Sequence, residues 1–400
     1  MNETSFSRAT LMQRLAALFS PDPWSPLPTH SDLVLAEGCI AGRDVLVVAT
    51  DPDTVLGTFG ICECDDFQWA LQRARATGVP LLLLIDSAGA RLNAGLPIQG
   101  ALRSLMRAVL DARFNEVPML AVLGRYAFGA ASMLAAAASQ RLQSAQSLMA
   151  MSGPKVIAAQ AGDGLDLPTL RSLINGCARS ATSASDILLD DTLQAYAKAV
   201  REWLQAPPAL TLNALSLQAE RERLQARLRA SALAGDSVAL QTTERISWRS
   251  GLMGAVDALA LCERFDQEIM ATPLVPLTLA IDIPGHSVDL RDEQVFLSQY
   301  LVHLALSLRH HTRNGVDVGL LIEGQISGGV YIALAAGASR TELAPNAMVR
   351  TLPAAALLQI LGDDTSETPD GAAHLEWGVV DRLRTAAEDN QRDTDALTLA

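Results

Sequence analysis

The chain has 400 residues, 49% hydrophobic and 19% charged, with a formal net charge of −13. That length exceeds what one hydrophobic core supports and predicts two domains, while the apolar content excludes a disordered chain. The negative balance excludes nucleic acid or an anionic membrane surface as the main partner, so a site for an anionic substrate must gather arginines locally.

Met1 to Leu18 reads as a short amphipathic helix broken by Pro21 and Pro23, with no basic-then-apolar leader. The five cysteines, Cys39, Cys62, Cys64, Cys177 and Cys262, are scattered and odd in number, which predicts a reduced, cytoplasmic protein. Cys62 and Cys64 have no second pair at zinc spacing, so no metal site is expected. No run approaches the ~18 apolar residues of a membrane span. The most apolar stretch, Met119 to Ala138, is interrupted by Arg125.

From residue 80 onward the chain repeats itself. Pro80 to Ile85 is a short apolar run entering Asp86-Ser-Ala-Gly89, and Pro276 to Ile281 enters Asp282-Ile-Pro-Gly285. Each reads as a buried strand feeding a turn. Helical spacing follows in Gly100–Arg113 and Glu293–Arg309, then a second strand in Met119–Leu123 and Val318–Ile322. Next come the turns Gly124–Gly129 and Gly324–Gly329, and the alanine-rich helices Ala130–Ala138 and Val330–Ala338. The copies lie 196 residues apart at Asp86/Asp282 and 200 apart at Gly124/Gly324 and Gly129/Gly329. A period this long predicts one duplicated domain. Leu212 to Arg229, polar and rich in Gln, Glu and Arg, reads as a solvated linking helix and spacer.

A glycine turn opening an alanine-rich helix presents unpaired N–H groups at the positive end of the helix dipole. With no Cβ in the way, a substrate oxygen can approach them. Tight strand–helix packing also selects Gly and Ala, but two equivalent turns favour a pair of oxyanion holes. Losing one donor from such a hole costs on the order of 3 kcal/mol of transition-state stabilisation. No histidine lies between residues 31 and 285. His286, beside the second strand-end turn, is the acid/base candidate.

At these residues the sequence resembles the carboxyltransferase branch of the crotonase superfamily, and within it the beta and gamma subunits of biotin-independent malonate decarboxylase fused in one chain. Asp86-Ser-Ala-Gly-Ala-Arg-Leu92, Gly124 to Ser132 and Ser152-Gly-Pro-Lys-Val-Ile157 carry the first half of the resemblance. Asp282 to Gly285, Gly324 to Gly329 and Glu376-Trp-Gly-Val-Val-Asp-Arg382 carry the second. It implies an α/β fold of two tandem crotonase-like (ββα-spiral) domains: a beta-like domain over 1–205, a helical linker over 206–245 and a gamma-like domain over 246–400. The leading hairpins of the second domain are reduced to Val238–Ser250.

The implied reaction is decarboxylation of malonyl carried on an acyl carrier protein, or on coenzyme A, through an enolate. One hole falls to Gly129 and Ala130 and the other to Gly328 and Gly329. Ser87, Gly89, Arg91, Arg125, Gly153, Gly285 and His286 are the implied substrate-binding residues; Arg91 and Arg125 either hold the anion or form structural ion pairs. The resemblance implies no directly bound cofactor beyond the phosphopantetheine-type arm of the thioester. It also implies partner subunits of a decarboxylase complex and a homo-oligomer.

Three alternatives remain in the sequence. One is the carboxyltransferase component of a biotin-dependent carboxylase. Another is a non-catalytic scaffold subunit whose holes have closed. The third is a Clp-type serine protease using Ser132, disfavoured because the first half supplies no imidazole for a serine nucleophile.

Overall fold

The computed structural model describes residues 4–161, 165–207, 211–231, 233, 245–249, 251–271, 275–352, 370–385 and 388. The N-terminal helix α1 spans Leu11–Phe19, later than the sequence reading, because Thr10 and Gln13 form a reciprocal capping box that sets its start.

The first sheet begins with an antiparallel meander of β1 (Trp24–Leu27), β2 (Val34–Ile40) and β3 (Arg43–Ala49). Parallel strands then follow in the order β3, β4 (Leu81–Ser87), β5 (Met119–Phe128), β6 (Gln140–Ser144) and β8 (Asp186–Leu189). Short β7 (Leu148–Ala150) pairs with the far end of β5. The connections are helical, as parallel pairing requires: α2 (Ile61–Thr77), α3 (Pro97–Phe114) and α4 (Ala130–Ala137). Between β7 and β8 lie α5 (Pro154–Ala161), α6 (Leu167–Ile174) and α7 (Gly176–Thr182), and α8 (Leu193–Gln205) packs beside α1.

The second sheet repeats this plan. It is parallel throughout, in the order β9 (Arg245–Arg249), β10 (Leu277–Asp282), β11 (Val318–Ile322), β13 (Arg340–Leu343) and β15 (Arg382–Leu383). Here β12 (Gln325–Ser327) pairs with β14 (Met348–Arg350), as the end of β5 pairs with β7. Its helices are α10 (Ala255–Ala271), α11 (Leu290–Gln294), α12 (Leu297–Arg313) and α13 (Gly328–Gly337). Most of the reduced leading hairpin falls outside the described residues; Arg245–Arg249 of it forms β9.

The halves pack reciprocally, α3 against α13 and α12 against α4, and one apolar cluster runs continuously through both. Every residue of α4 and α13 is buried; alanine and glycine let these backbones approach closely, which explains their composition.

The helix over residues 214–230, α9, is no solvated spacer. It buries Leu217, Leu224 and Leu228, and Arg227 donates both to Thr182 of the first half and to Val295 and Gln299 of the second. Its polar composition misled because arginine heads here bond across the seam while leucines four to seven residues apart face the core.

Candidate active site

Each half builds its turn from the strand end upward. Asp86 closes β4, fully buried, and accepts from Arg14 Nη1 (3.0 Å), Arg125 Nε (3.2 Å) and the Tyr126 amide (3.3 Å). In the second half Asp282 accepts from the Gln325 amide (3.0 Å). These carboxylates hold the strand segments that lead into the glycine turns.

At the turns, Gly129 and Gly328 both have φ +56°, a conformation an L side chain rarely adopts. The structural partner of Gly129 is therefore Gly328, 199 residues on, and not Gly329 as the constant spacing of 200 suggests. Gly324 is followed by one residue fewer before the turn than Gly124, and the strands already match at 199, since Met119 pairs with Leu81 and Val318 with Leu277, the first residues of β4 and β10. Ala130 then corresponds to Gly329.

The Gly129 N–H is not available to a substrate, since it faces the carbonyls of Ala150 (3.2 Å) and Met151 (3.1 Å). The turn instead leaves the N–H groups of Ala130 and Ala131 to open α4, because the first N–H that turns back is that of Ser132, onto the Gly129 carbonyl. On the other side Ser327 Oγ donates to Pro284 (2.5 Å), fixing the start of α13.

Both turns meet one segment, Met151–Ser152, at the end of β7. A Cβ at Gly329 would lie 2.7 Å from Met151 Cε, so this methionine covers the opening of α13. A Cβ at Gly328 would lie 3.1 Å from the His286 ring. His286 Nε2 in turn faces Ser152 Oγ at 3.5 Å, while its Nδ1 is buried with no partner. Burial pushes its pKa down to about 4, so the imidazole is neutral at neutral pH. Glu293, from the start of the second half's helical layer, accepts the amides of Met151 (3.0 Å) and Ser152 (2.6 Å). Burial, opposed by Arg179 and these two amides, pushes its pKa up to about 7.

The other sequence candidates are placed as follows. Ser87 is buried and accepts the Gly89 amide (3.1 Å). Gly89 lets the backbone pass Phe128, whose carbonyl would stand 2.7 Å from a Cβ there. Gly285 accepts the Met253 amide (2.9 Å) and Gly153 faces open space. Arg91 pairs with Glu63 (2.7 Å) and Asp32 (3.3 Å), and Arg125 with Asp53 (3.0 Å) and Asp86 (3.2 Å). Both arginines thus make structural ion pairs.

Met151, Ser152 and Glu293 were missed in the sequence as parts of the site. Ser152 was visible inside its Ser-Gly-Pro motif, but its imidazole partner is 134 residues away. Among the described residues, no cluster of three or more His, Cys, Asp or Glu side chains is placed to hold a metal ion, and no helix is long and apolar enough to cross a membrane.

This is a mixed α/β protein with two main, largely parallel sheets, and the glycine turns of both halves adjoin Met151. The chain belongs to the carboxyl transferase domain family, which it matches over residues 20–263, more than half its length. It is 26% identical over 181 residues to the propionyl-CoA carboxylase carboxyltransferase subunit of Haloferax mediterranei, covering 44% of this chain and 35% of that protein. It is 25% identical over 173 residues to the propionyl-CoA carboxylase beta chain of Rhodococcus erythropolis, covering 42% and 36%. The matched part is thus about a third of the length of these curated relatives. Among solved structures it is similar to a Pseudomonas malonate decarboxylase hetero-tetramer in complex with malonate (TM-score 0.48, 24% identity, 55% of this chain and 91% of that one). It is also similar to the transcarboxylase 12S hexamer (TM-score 0.43, 16% identity, 98% and 89%).

Proposed function

We propose that the chain is an enzyme that releases CO2 from a malonyl thioester, carried on an acyl carrier protein or coenzyme A, and leaves the acetyl thioester. The bond from Cα to the carboxylate breaks, its electron pair moves into an enolate on the thioester, and a proton then returns to Cα. The observation that supports this is the convergence of two matching glycine turns on Met151–Ser152, within a chain of the carboxyl transferase family.

In this reading the enolate oxygen is held by the N–H groups that open a helix, those of Ala130 and Ala131 in one half or, at the matching positions, of Gly329 and Val330 in the other. Preorganised main-chain donors stabilise developing negative charge without reorganisation. Gly129 contributes its conformation. Neutral His286 donates a hydrogen bond beside Gly328 and does not gain charge at neutral pH. The thioester arm is the only cofactor-like group this chemistry needs. Partner subunits and self-assembly belong to the same proposal, as do the domain limits 1–205, 206–245 and 246–400 and the cytoplasmic location.

The names of the curated relatives favour a second reading, the carboxyltransferase step of a biotin-dependent acyl-CoA carboxylase, with the same enolate held the same way. Incubation of the purified protein with malonyl-coenzyme A and malonyl-carrier, followed by mass, separates the two. Acetyl product without biotin supports the decarboxylase. Carboxyl transfer between carboxybiotin and an acyl-coenzyme A, with no acetyl product in biotin's absence, supports the carboxylase component. Neither reaction would leave the scaffold reading.

A further inference from the structure

Reciprocal packing of the halves breaks down at one arginine. Arg107 of α3 reaches the C-terminal end of α13, donating through Nη2 to the carbonyls of Ala335 (2.8 Å) and Ala338 (2.7 Å). Arg103 lies one turn away, bonded to the carbonyls of Gly378 (3.0 Å) and Val379 (3.2 Å). Arg309 of α12 closes on Asp111 of α3 through two bonds of 2.9 Å.

At the C-terminal end of α4 the facing residues of α12 are the uncharged Gln299, Val302, His303 and Leu306, where Arg103 and Arg107 of α3 stand against α13. The cap there comes from within the first half, Arg141 Nη1 donating to the Ala136 carbonyl (3.2 Å).

A cavity of about 280 Å³ opens at this place, lined by Arg113, Ser139, Arg141, Ser216 and His303 among others. Nε and Nη1 of Arg113 are shut off from solvent and have no hydrogen-bond partner, and neither has Nδ1 of His303. Arg141 is closed on Asp186 through bonds of 2.6 and 2.7 Å, and Arg223 pairs with Glu220. One positive charge among the lining residues is left unmatched. Burial and the like charge of Arg141 push the Arg113 pKa down to about 10, so it still carries its proton at neutral pH.

Arg113 is only partly exposed, so its charge is incompletely solvated, and a ligand that supplies a counter-charge only in the folded state offsets the resulting cost. We propose that this cavity binds a small oxyanion, a carboxylate or phosphate, on the guanidinium of Arg113. It lies at the opposite end of α4 from the glycine turn, so it is a second site.

Thermal unfolding of the full chain in potassium chloride, acetate and phosphate at constant ionic strength tests this. A saturable rise of Tm in acetate or phosphate over chloride is expected, and the stronger arm identifies carboxylate or phosphate as the better ligand. Arg113→Met should lose the rise while unfolding no earlier than wild type in chloride. Arg113→Lys, which keeps the charge without the planar fork, should shift half-saturation to higher anion concentration; it decides the matter if Arg113→Met does not fold. Equal Tm in all three salts, a rise that survives Arg113→Met, or unchanged half-saturation in Arg113→Lys overturns the proposal.

Discussion

The carboxylate of Asp86 lies directly over Gly124, where a Cβ would come within 2.5 Å of its Oδ2, and Asp282 lies over Gly324 in the same way at 2.2 Å. One contact, made twice, thus accounts for the aspartate and the glycine that recur in both copies. The glycine makes room for a buried carboxylate, and that carboxylate holds the next strand segment through an amide.

Gly124→Ala should therefore be severely destabilising. Its Cβ would meet both Asp86 Oδ2 and Arg14 Nη1 at 2.5 Å, forcing apart a buried ion pair. Breaking such a pair costs about 3–5 kcal/mol. Urea unfolding measures the loss, and a value below about 1 kcal/mol, the range of ordinary substitutions, would mean that the pair relaxes freely.

Gly328→Ala should separate the turn's chemistry from its fold. A Cβ there is strained at φ +56° and 3.1 Å from the His286 ring. Stability should fall by about 1–2 kcal/mol. Acetyl formation from the malonyl thioester should fall on the order of 10²-fold if the amides hold the enolate. Full turnover in a folded variant would remove this turn from the mechanism.

His286 makes a signed prediction about acid. Its folded pKa, about 4, is below the ordinary 6.5, so between these values the unfolded chain binds a proton that the folded one refuses. Its contribution to stability is complete above pH 6.5 and is lost as pH falls toward 4, by up to on the order of 3 kcal/mol. The stability of wild type relative to His286→Gln should drop across that window. Parallel curves from pH 7 to pH 4 would contradict the burial argument.

Glu293 has the opposite sign. Its folded pKa is raised from 4.5 to about 7, so the folded chain keeps a proton that the unfolded chain has lost. The stability of wild type relative to Glu293→Gln should fall as pH rises from 4.5 to 7 and level off above, again by on the order of 3 kcal/mol. An increase over that range would show that the two amides of Met151 and Ser152 outweigh burial.

How much was legible varied with the range of the interaction. The repeated strands and alanine-rich helices were readable because apolar runs and helical spacing are local patterns. Constant spacing misaligned Gly129 with Gly329, because the true offset of 199, set where Met119 and Val318 pair with the preceding strands, leaves no mark in composition. Arg91 and Arg125 could not be resolved between anion binding and ion pairing until Glu63, Asp32, Asp53 and Asp86 were placed around them.

By itself the amino-acid order determined a duplicated α/β architecture and glycine turns opening two buried helices, since hydrophobic period and glycine placement act within a few residues. Only the tertiary structure decided that both turns meet at Met151–Ser152, that Met151 covers one of them, and that His286 and Glu293 cross from the other half. Apart from that of Gly129 with Met151, those contacts join residues more than 130 positions apart, and they arise because two alanine-lined helix pairs must bury their faces against each other.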